Sequence, residues 1–551
     1  MSIDRIEVQT IFGKIISNNE LITCLFNSKM KNTKMLATLG LCSVGLIPNC
    51  YGQAKEQKRP NILFIMSDDH AYQAISAYGS GLNSTPNIDR IAKEGAIFTR
   101  AFVTNSICAP SRAVMLTGKF SHLNGKTDNV GGFNWKQMIF PKLLQKSGYQ
   151  TALIGKIHLD GNPQGFDYSN VLPGQGNYYN PDFIENGVRK QYPGYVTTLT
   201  TQFALDWLDK KRDKSKPFCL LYHQKAPHRN WLPEEKYLNL YEDRDFPFPD
   251  NFFDDFTGRG TAAHTQEMGI VKEMTWGHDM KFENDPYTGR PTEFVRDIKR
   301  MDDQQRKAWR SAYDARNEEF VKTKPEGRDL AKWKYQRYIR DYLKCIQSVD
   351  DGVGEVLDYL DKNGLTENTI VVYTSDQGFY LGEHGWFDKR FMYEESFRTP
   401  LVIRYPKEIK PGTVITQLVQ NLDFAPTFLN YAGVKEQKEI QGESFRKLLS
   451  GESMKWRDAI YYHYYEYPGV HAAKRHYGVR TERYKLIHFY YDVDEWELYD
   501  LKKDPHEMKS VYNDPAYAEI KANLLKNLKE LRVKYKDTDD VTRSFLPKKK
   551  N

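Results

Sequence analysis

The chain has 551 residues, enough to bury a large core as one large domain with a smaller one. Its 79 basic and 72 acidic residues give a net charge of +7 that is spread along the sequence. The short basic tail at Lys548, Lys549 and Lys550 is typical of a solvated terminus, so we expect no nucleic acid partner. Aromatic residues make up 13% of the chain, which suits stacking on sugar rings but equally suits a large core.

The N-terminal residues have the pattern of a secretory signal. Residues 30–34 form a basic start, residues 35–47 are an apolar run of signal-peptide length, and residues 52–54 offer a small-x-small cleavage site. We therefore predict a signal peptide over residues 30–54 and export, with the periplasm as the destination. Residues 1–29 then form an upstream extension that does not belong to the mature protein.

Lipoprotein anchoring is the less favoured alternative. Cys42 and Cys50 lie close to the cleavage site, but Leu41 and Asn49 directly before them are not the small residues that lipoprotein processing requires. The apolar run is too short to span a bilayer, and no other stretch reaches that length, so we predict no transmembrane segment.

Removal of the signal peptide leaves three of the six cysteines, Cys108, Cys219 and Cys345. An odd number at unrelated spacings is not a disulfide framework, and no pair has the C-x-x-C spacing of a zinc or redox site. Stability must therefore come from the core. We expect Cys219 and Cys345 to be small buried apolar residues.

Four short apolar runs lack alternation, as expected for strands that are covered on both faces: residues 61–66, 151–155, 218–222 and 369–374. Helical patterns lie between several of them, including residues 140–147 and 345–363. This alternation predicts an α/β fold in which a large mixed or parallel sheet is sandwiched by helices.

Polar residues follow each of these runs closely: Asp68 and Asp69, Lys156 and His158, His223 and His228, and Asp376 and Gln377. Ligands bind beyond the carboxyl ends of the strands in such sheets. We therefore expect the four segments to converge on one crevice.

The second half of the chain contains two further patterns. Residues 232–330 are charged, aromatic and weakly periodic, so we expect irregular insertions and helices on the surface there. Residues 477–491 and 496–500 have the pattern of antiparallel strands with hairpin turns, and residues 516–535 that of an amphipathic helix.

These patterns predict two domains after the signal peptide. Residues 55–438 would form the catalytic domain. Residues 439–551 would form a smaller C-terminal α+β subdomain that packs on the first and lends side chains to the cleft.

The run SICAPSRAVMLTG at residues 106–118 is the most informative motif of the chain. It resembles the signature C-x-P-S-R-x-x-x-L-T-G of the type I sulfatases, and every fixed position is present. The resemblance implies an alkaline-phosphatase-like fold and oxidation of Cys108 to formylglycine by a maturation enzyme. The aldehyde hydrate of formylglycine would then be the nucleophile. The alternative for such a residue is a buried cysteine near a helix start.

The resemblance also implies a metal site. Asp68, Asp69, Asp376 and Gln377 match the family's metal-binding positions, to which the modified Cys108 side chain is added. Three carboxylates and an amide oxygen form an all-oxygen set that suits Ca²⁺ better than zinc. Gln377 departs from the Asn or His often found at its position, although it keeps a carbonyl oxygen. Helix capping is the alternative role of such Asp residues when either pair stands alone.

Arg112 lies one helical turn after Cys108, so both side chains can face the same pocket. By resemblance, Arg112 holds the hydrate and steadies its charge. Lys389 matches the lysine that binds sulfate from the opposite side.

Two histidines complete the catalytic set that the resemblance implies. Residues 155–158 match the family's G-K-x-H, in which His158 polarises the formylglycine hydroxyl and later takes its proton while Lys156 pairs with sulfate. Strand-like spacing would place both side chains on one side. His228, in the sequence A-P-H, would protonate the leaving oxygen. The remaining histidines beside these motifs, His70 and His384, are expected to be structural.

Local matches at residues 388–394, 178–180 and 186–187 are similar to the N-acetylglucosamine-6-sulfatase branch of the family. They imply an exo-acting sulfatase that releases 6-O-sulfate from N-acetylglucosamine in heparan-type or mucin glycans. We expect Tyr178 and Asn180 to bind the sugar by stacking and amide contacts. We also expect His471 to bind it, because its turn in the C-terminal subdomain should lie over the cleft; a surface position is the alternative. The alternatives are another glycan sulfatase, a phosphodiesterase or phosphonate hydrolase of the same superfold, or an unmatured protein that only binds sulfated glycan.

Overall fold

The computed structural model describes residues 59–547. The predicted upstream extension, signal peptide and basic C-terminal tail lie outside these residues. Among the described residues, no helix combines the length and the apolar character needed to cross a membrane.

A ten-stranded mixed sheet forms the centre of the molecule, with the strand order β11-β2-β10-β9-β1-β8-β4-β5-β6-β7. In chain order, the strands of the described residues are β1 (Asn61–Ser67), β2 (Ala96–Phe98), β3 (Ala101–Phe102), β4 (Gln150–Gly155), β5 (Tyr168–Val171), β6 (Asp182–Glu185), β7 (Val188–Gln191), β8 (Phe218–His223), β9 (Thr369–Ser375), β10 (Leu401–Arg404), β11 (Thr413–Ile415), β12 (Val419–Gln420), β13 (Ala459–Tyr464), β14 (His476–Thr481), β15 (Tyr484–Phe489) and β16 (Glu495–Asp500). The central strands β9, β1, β8, β4 and β5 are parallel to one another, and β10, β6 and β7 run antiparallel to their neighbours.

Helices cover both faces of this sheet, as predicted. They are α1 (Pro86–Lys93), α2 (Cys108–Thr117), α3 (Ser121–Asn124), α4 (Phe140–Lys146), α5 (Val196–Asp206), α6 (Thr261–Thr265), α7 (Ile270–Glu273), α8 (Val295–Arg300), α9 (Asp303–Thr323), α10 (Gly327–Lys362), α11 (Glu394–Phe397), α12 (Phe424–Tyr431), α13 (Arg446–Leu449), α14 (Ala518–Lys534) and α15 (Asp539–Ser544). Leu63 and Ile65 of β1 face one core with α1, α5 and α10, while Ile62 and Phe64 face a second core with α2, α4 and α12. The α/β prediction is therefore confirmed.

The four predicted strands are present with ends that differ by at most one residue. The helix predicted over residues 345–363 instead begins at Gly327. Its first half is rich in charged residues, which hid the buried stripe of Ala331, Tyr335 and Tyr338. The sequence pattern therefore did not predict the first five turns of α10, because charged residues separate the aromatic residues of its buried face.

Segment 232–330 is not confined to the surface, which corrects the sequence-based expectation. Met280, Trp309, Tyr313 and Phe320 are at most 2% exposed and belong to the same core as Leu63 of β1. Stacking of Trp309 on Tyr313, with ring centres 4.2 Å apart, supplies packing that weak helical periodicity does not predict.

Beyond the large sheet, strands β13–β16 form a second, antiparallel sheet. One face packs Ile460 and Tyr462 against Trp386 from the loop after β9. The other face packs against Leu524 and Leu528 of α14. The C-terminal α+β arrangement is therefore confirmed, and the domain boundary at residue 438 stays a prediction.

Candidate active site

Two neighbouring parallel strands end side by side and place three carboxylates together. Ser67 of β1 is in register with Ser375 of β9, so Asp68 and Asp69 follow one strand where Asp376 follows the other. The Asp69 main-chain N–H donates to Asp376 Oδ1 at 3.1 Å. One oxygen of each of the three carboxylates lies within 4.8 Å of the others.

These carboxylates are buried, and their charges are unequally compensated. Burial raises the pKa of Asp69 to about 6, although the Lys389 ammonium opposes this. Burial acts on Asp376 in the same direction, but the Arg112 guanidinium and two lysines outweigh it and hold its pKa below the usual value. Asp69 is therefore protonated before Asp376 as the pH falls, and a further positive charge beside it would keep it ionised.

Gln377 extends the oxygen cluster. Its side chain is buried and its Nε2 donates to Asp69 Oδ1. Among the described residues, no hydrogen-bond donor lies within reach of Gln377 Oε1 or Asp69 Oδ2, although both atoms are buried. Buried oxygens without donors, together with two more carboxylates, fit a hard divalent cation such as Ca²⁺.

Cys108 is the first residue of α2, and its side chain faces this cluster. Ile107 before it is extended, so the chain enters the helix at the cysteine itself. The Sγ atom donates to Asp68 Oδ1 at 3.4 Å and lies 3.5 Å from Lys389 Nζ. Burial raises the pKa of the Cys108 thiol to about 12. The unmodified side chain is therefore a neutral thiol, which is a poor nucleophile.

Arg112 links α2 to the ends of β1, β4 and β9 through hydrogen bonds and ion pairs. Its Nε donates to Asp376 Oδ2 at 2.9 Å, its Nη1 to the Lys156 carbonyl at 2.6 Å, and its Nη2 lies 3.7 Å from Asp68 Oδ2. The side chain is fully buried. Its position one turn after Cys108 agrees with the predicted geometry.

Lys156 and His158 reach the site from beyond β4. The strand ends at Gly155, where a Cβ atom would collide with the His223 carbonyl, so the chain requires glycine at this point. Lys156 forms an ion pair with Asp68. His158 has a left-handed backbone (φ 52°), so strand-like spacing does not explain its position. Burial and the neighbouring Lys156 lower the pKa of His158 to about 2, so its ring is neutral.

Lys389 and His228 approach Asp69 from other loops. The Lys389 ammonium lies 2.5 Å from Asp69 Oδ1, and burial opposes but does not outweigh the carboxylates that raise its pKa. His228 Nε2 lies 3.8 Å from Asp69 Oδ2. Burial, followed by the charges of Lys156 and Lys389, lowers the pKa of His228 well below its usual value.

His471 lies beside the same site. Its Nε2 is 3.4 Å from Asp388 Oδ2, and Asp388 directly precedes Lys389. Its Nδ1 contacts the Glu267 carbonyl at 2.6 Å, and its ring packs edge-on against Phe387. The C-terminal part of the chain thus contributes a side chain next to the site.

Tyr178 and Asn180 have partners inside the protein. The Tyr178 hydroxyl donates to the His228 carbonyl at 2.6 Å. The Asn180 amide donates to the Arg300 carbonyl and to Gln305, and its oxygen accepts from the Gly194 N–H and from Gln305. This arrangement favours a role in linking this loop to the segments of His228, Arg300 and Gln305 over the predicted contact with sugar.

Sequence reasoning missed two charged residues of the site, Asp388 and Lys225. Asp388 is 5% exposed, and its pKa is held well below the usual value by Arg390 and His471, although burial opposes this. Its position directly before Lys389 was a signal that could have identified it. Lys225 lies between β8 and His228, in a segment already expected at the crevice, but a single lysine carries no motif.

The other histidines and cysteines behave as expected. His70 Nδ1 contacts the Tyr373 hydroxyl at 2.6 Å, and His384 lies 2.8 Å from Asp254. Cys219 in β8 and Cys345 in α10 are fully buried and free.

Comparison with known proteins identifies the family. A family model described as sulfatase matches residues 60–434, and one described as N-sulphoglucosamine sulphohydrolase, C-terminal, matches residues 382–534. The chain is 50% identical over 520 residues to N-acetylglucosamine-6-O-sulfatase of Bacteroides thetaiotaomicron, covering 93% of each chain. It is 27% identical to N-acetylglucosamine-6-sulfatase of Capra hircus, covering 84% of this chain and 81% of the relative.

A solved structure is also closely similar. It is a protein in complex with its substrate D-glucosamine-2-N,6-O-disulfate, with a TM-score of 0.85 and 51% identity, and the match covers 88% of this chain and 99% of that one. These similarities confirm the fold and the sulfuric ester hydrolase class predicted from the sequence. The chain belongs to the sulfatase family.

Proposed function

We propose that this chain is an exported sulfatase that releases the 6-O-sulfate of N-acetylglucosamine from heparan-type or mucin glycans. The observation that carries the proposal is the buried cluster of Cys108, three carboxylates and Lys389, in a chain 50% identical to an N-acetylglucosamine-6-O-sulfatase. A 6-sulfated glucosamine is also the substrate named for the solved relative.

Asp68, Asp69, Asp376 and Gln377 would hold Ca²⁺. The oxygens of these residues that lack donors support this assignment. When bound, the ion would supply positive charge next to the sulfuryl oxygens and the nucleophile. Lys389 and Lys156 already contact Asp69 and Asp68, so they would share the same sulfate group with the ion.

The nucleophile would derive from Cys108. Its raised thiol pKa argues against direct attack by a thiolate. Conversion to formylglycine by a maturation enzyme would supply, as the aldehyde hydrate, an oxygen nucleophile at the same position. Arg112 is fixed one turn away by Asp376 and would hold that oxygen in place.

Two histidines would move the protons. His158 is neutral and has no hydrogen-bond partner among the described residues at its buried Nδ1, so it can accept a proton from the nucleophile. His228 is also neutral in the free site, because burial and then the charges of the neighbouring lysines lower its pKa. The negative charge of a bound sulfate ester opposes those lysines, so binding favours the protonated His228 that donates to the leaving oxygen.

The sugar would lie beside His471 and Asp388. The imidazole and the carboxylate, which lie beside Lys389, would offer hydrogen-bonding groups for sugar hydroxyls. Export to the periplasm remains part of the proposal and rests on the signal-like residues 30–54.

A panel of sulfated sugars tests the proposal. The protein, co-expressed with a formylglycine-generating enzyme, is incubated with 2-, 3-, 4- and 6-sulfated monosaccharides and oligosaccharides, and sulfate release is measured. We expect the highest kcat/KM on 6-sulfated N-acetylglucosamine at a non-reducing end. Faster release from another sulfated position would favour another glycan sulfatase, and faster hydrolysis of a phosphonate monoester would favour the phosphonate hydrolase alternative.

A further inference from the structure

The chain around His228 has no regular secondary structure. Strand β8 ends at His223, and the next helical turn begins at Glu235. The main-chain carbonyls of the intervening residues therefore lack the hydrogen bonds that a helix or a sheet would supply, and they need partners from elsewhere in the protein. Contacts from other segments thus decide where His228 lies.

Three buried tyrosines provide such contacts. Their hydroxyl groups donate to main-chain carbonyls within residues 228–233: Tyr178 to His228 at 2.6 Å, Tyr195 to Leu232 at 2.8 Å, and Tyr179 to Pro233 at 2.6 Å. The Trp231 N–H also donates to the His228 carbonyl, but over 3.4 Å. Tyr178 therefore makes the shorter of the two hydrogen bonds to this carbonyl.

The three residues, Tyr178, Tyr179 and Tyr195, form a tyrosine cluster whose members pack on one another. The rings of Tyr178 and Tyr195 stack with their centres 5.9 Å apart, and Tyr179 packs edge-on against Tyr195 at 5.5 Å. All three are at most 5% exposed, and burial holds the pKa of each phenol well above its usual value. The hydroxyls therefore stay protonated and remain donors at neutral pH.

The imidazole of His228 is held by the same stretch of main chain. Its Nδ1 lies within hydrogen-bond distance of the Arg229 carbonyl, which can only accept, so Nδ1 carries a hydrogen and Nε2 is the nitrogen that faces Asp69. A shift of the main chain at residues 228–229 would therefore move Nε2, the atom that would protonate the leaving oxygen. Proton transfer depends on hydrogen-bond geometry, and a displacement of about 1 Å can cost about a hundredfold in rate.

We propose that Tyr178 is a positioning residue for the general acid: its hydroxyl fixes the main chain of His228 so that Nε2 meets the leaving oxygen of a sugar sulfate. The inference rests on the proposed function, in which His228 protonates that oxygen. Tyr178→Phe removes only the hydroxyl and leaves the ring on Tyr195. The His228 carbonyl then keeps only the longer bond from the Trp231 N–H, so the imidazole is held less firmly.

The test measures kcat and KM of Tyr178→Phe on 6-sulfated N-acetylglucosamine and on 4-nitrophenyl sulfate. On the sugar, kcat should fall by about tenfold to a hundredfold with little change in KM, because a sugar alkoxide needs the proton of a well-placed acid. The nitrophenolate leaves readily as an anion, so kcat on the aryl sulfate should change much less. Thermal melting shows whether each variant is folded.

Tyr149→Phe is the matched control. Tyr149 is also buried, and its hydroxyl donates to the Pro60 carbonyl at 2.8 Å, but it belongs to the core on the other face of the large sheet. Its loss should lower the melting temperature through the unsatisfied carbonyl while the ratio of kcat on the sugar to kcat on the aryl sulfate stays at the wild-type value. The same change of ratio in Tyr149→Phe and Tyr178→Phe would mean that general destabilisation causes it, and would overturn the inference.

A double-mutant cycle with His228→Ala shows whether Tyr178 acts through the imidazole. The variant keeps the carbonyl of residue 228 but lacks the acid, so adding Tyr178→Phe should cause no further loss of kcat on the sugar. A loss of the same size in both backgrounds would reject the positioning role, as would wild-type kcat on the sugar in Tyr178→Phe. If Tyr178→Phe does not fold, Tyr195→Phe should give a smaller loss that is still confined to the sugar, and its absence would count against the proposal.

Hydrogen–deuterium exchange separates a failure of this inference from a failure of the proposed function. If the matured wild-type protein releases no sulfate from the sugar, the proposed function fails. Exchange of the amides in residues 225–233 then tests by itself whether the Tyr178 hydroxyl holds this segment. We expect faster exchange in Tyr178→Phe than in the wild-type protein and in Tyr149→Phe, and equal exchange in all three would reject the role of the hydroxyl.

Discussion

The two ends of the active site differ in how they are built. At the sulfate end, Asp68, Asp376 and Arg112 are at most 1% exposed and linked to one another by ion pairs, because two strand ends and the first turn of a helix meet there. At the sugar end, His471 and Asp388 come from loops 83 positions apart in sequence, and His471 has a left-handed backbone (φ 64°). The sulfate end is fixed by regular structure, whereas the sugar end depends on how separate loops meet.

This difference predicts a division of labour. Changes at the sulfate end should affect every sulfate ester, because all substrates share the sulfate group. Changes at the sugar end should affect only substrates that carry a sugar. Each of the following experiments therefore compares a 6-sulfated amino sugar with a small aryl sulfate.

The largest effect is expected from Cys108→Ala. The change deletes the proposed nucleophile but only one small side-chain atom, so turnover should be lost on both substrates while the fold stays intact. The measurement is kcat on each substrate together with the melting temperature. Retention of even about a hundredth of wild-type activity would contradict the formylglycine mechanism, because the uncatalysed reaction is slower by many orders of magnitude.

Cys219→Ala is the matched control. Cys219 is equally buried but lies inside β8 and faces the core on the side of α2 and α4. Loss of its sulfur should cost stability through a small cavity, with little change in kcat. Comparable loss of activity in both variants would mean that the cysteine chemistry is not specific to Cys108.

Removal of calcium should have the next largest effect. The clustered carboxylates repel one another without a cation, so chelation should depress kcat on both substrates and lower the melting temperature, and Ca²⁺ should restore both. Incubation with chelator is extended until the melting temperature is constant, since slow release could hide the effect. Restoration by Zn²⁺ but never by Ca²⁺ would contradict an all-oxygen site.

The sequence predicts the sulfate end of the site better than the sugar end. The strand ends were predictable because unbroken apolar runs locate β1 and β9, and parallel strands bring the next residues together. The motif around Cys108 then identified the chemistry. His158 shows the limit of such reasoning, because its place in the site comes from a left-handed residue beyond β4 and not from strand periodicity.

The sugar end was less predictable for physical reasons. Tyr178 and Asn180 were predicted to contact the sugar, but the Tyr178 hydroxyl donates to the His228 carbonyl and the Asn180 amide donates to the Arg300 carbonyl. Lys225 carries no motif, and its contact with the Tyr178 ring beside His228 is set by the fold. Hydrogen bonding between loops depends on tertiary packing, which residue type and spacing do not specify.

His228→Ala should separate the two substrates according to their leaving groups. A sugar alkoxide leaves poorly without a proton, so kcat on the amino sugar should fall by about 10²- to 10⁴-fold. An aryl oxide leaves readily as an anion, so the loss on the aryl sulfate should be much smaller. Equal losses on both substrates would indicate that His228 binds the sulfate. If His228 is the general acid, the fall in kcat on the sugar at high pH that wild-type protein shows should be absent from the variant.

The smallest and most selective effect is expected from His471→Ala. The Glu267 carbonyl can only accept, so His471 Nδ1 carries a hydrogen and Nε2 faces Asp388. Removing one hydrogen bond to a polar substrate group costs about 1 to 3 kcal/mol, or roughly tenfold to a hundredfold in kcat/KM on the sugar. The aryl sulfate has no sugar hydroxyl to lose, so its kcat/KM should change much less.

Val470→Ala is the control for this prediction, because Val470 lies in the same turn and is 58% exposed. Equal loss on both substrates would assign His471 to the fold or to positioning Asp388 beside Lys389, and unchanged kinetics on the sugar would remove it from the binding site.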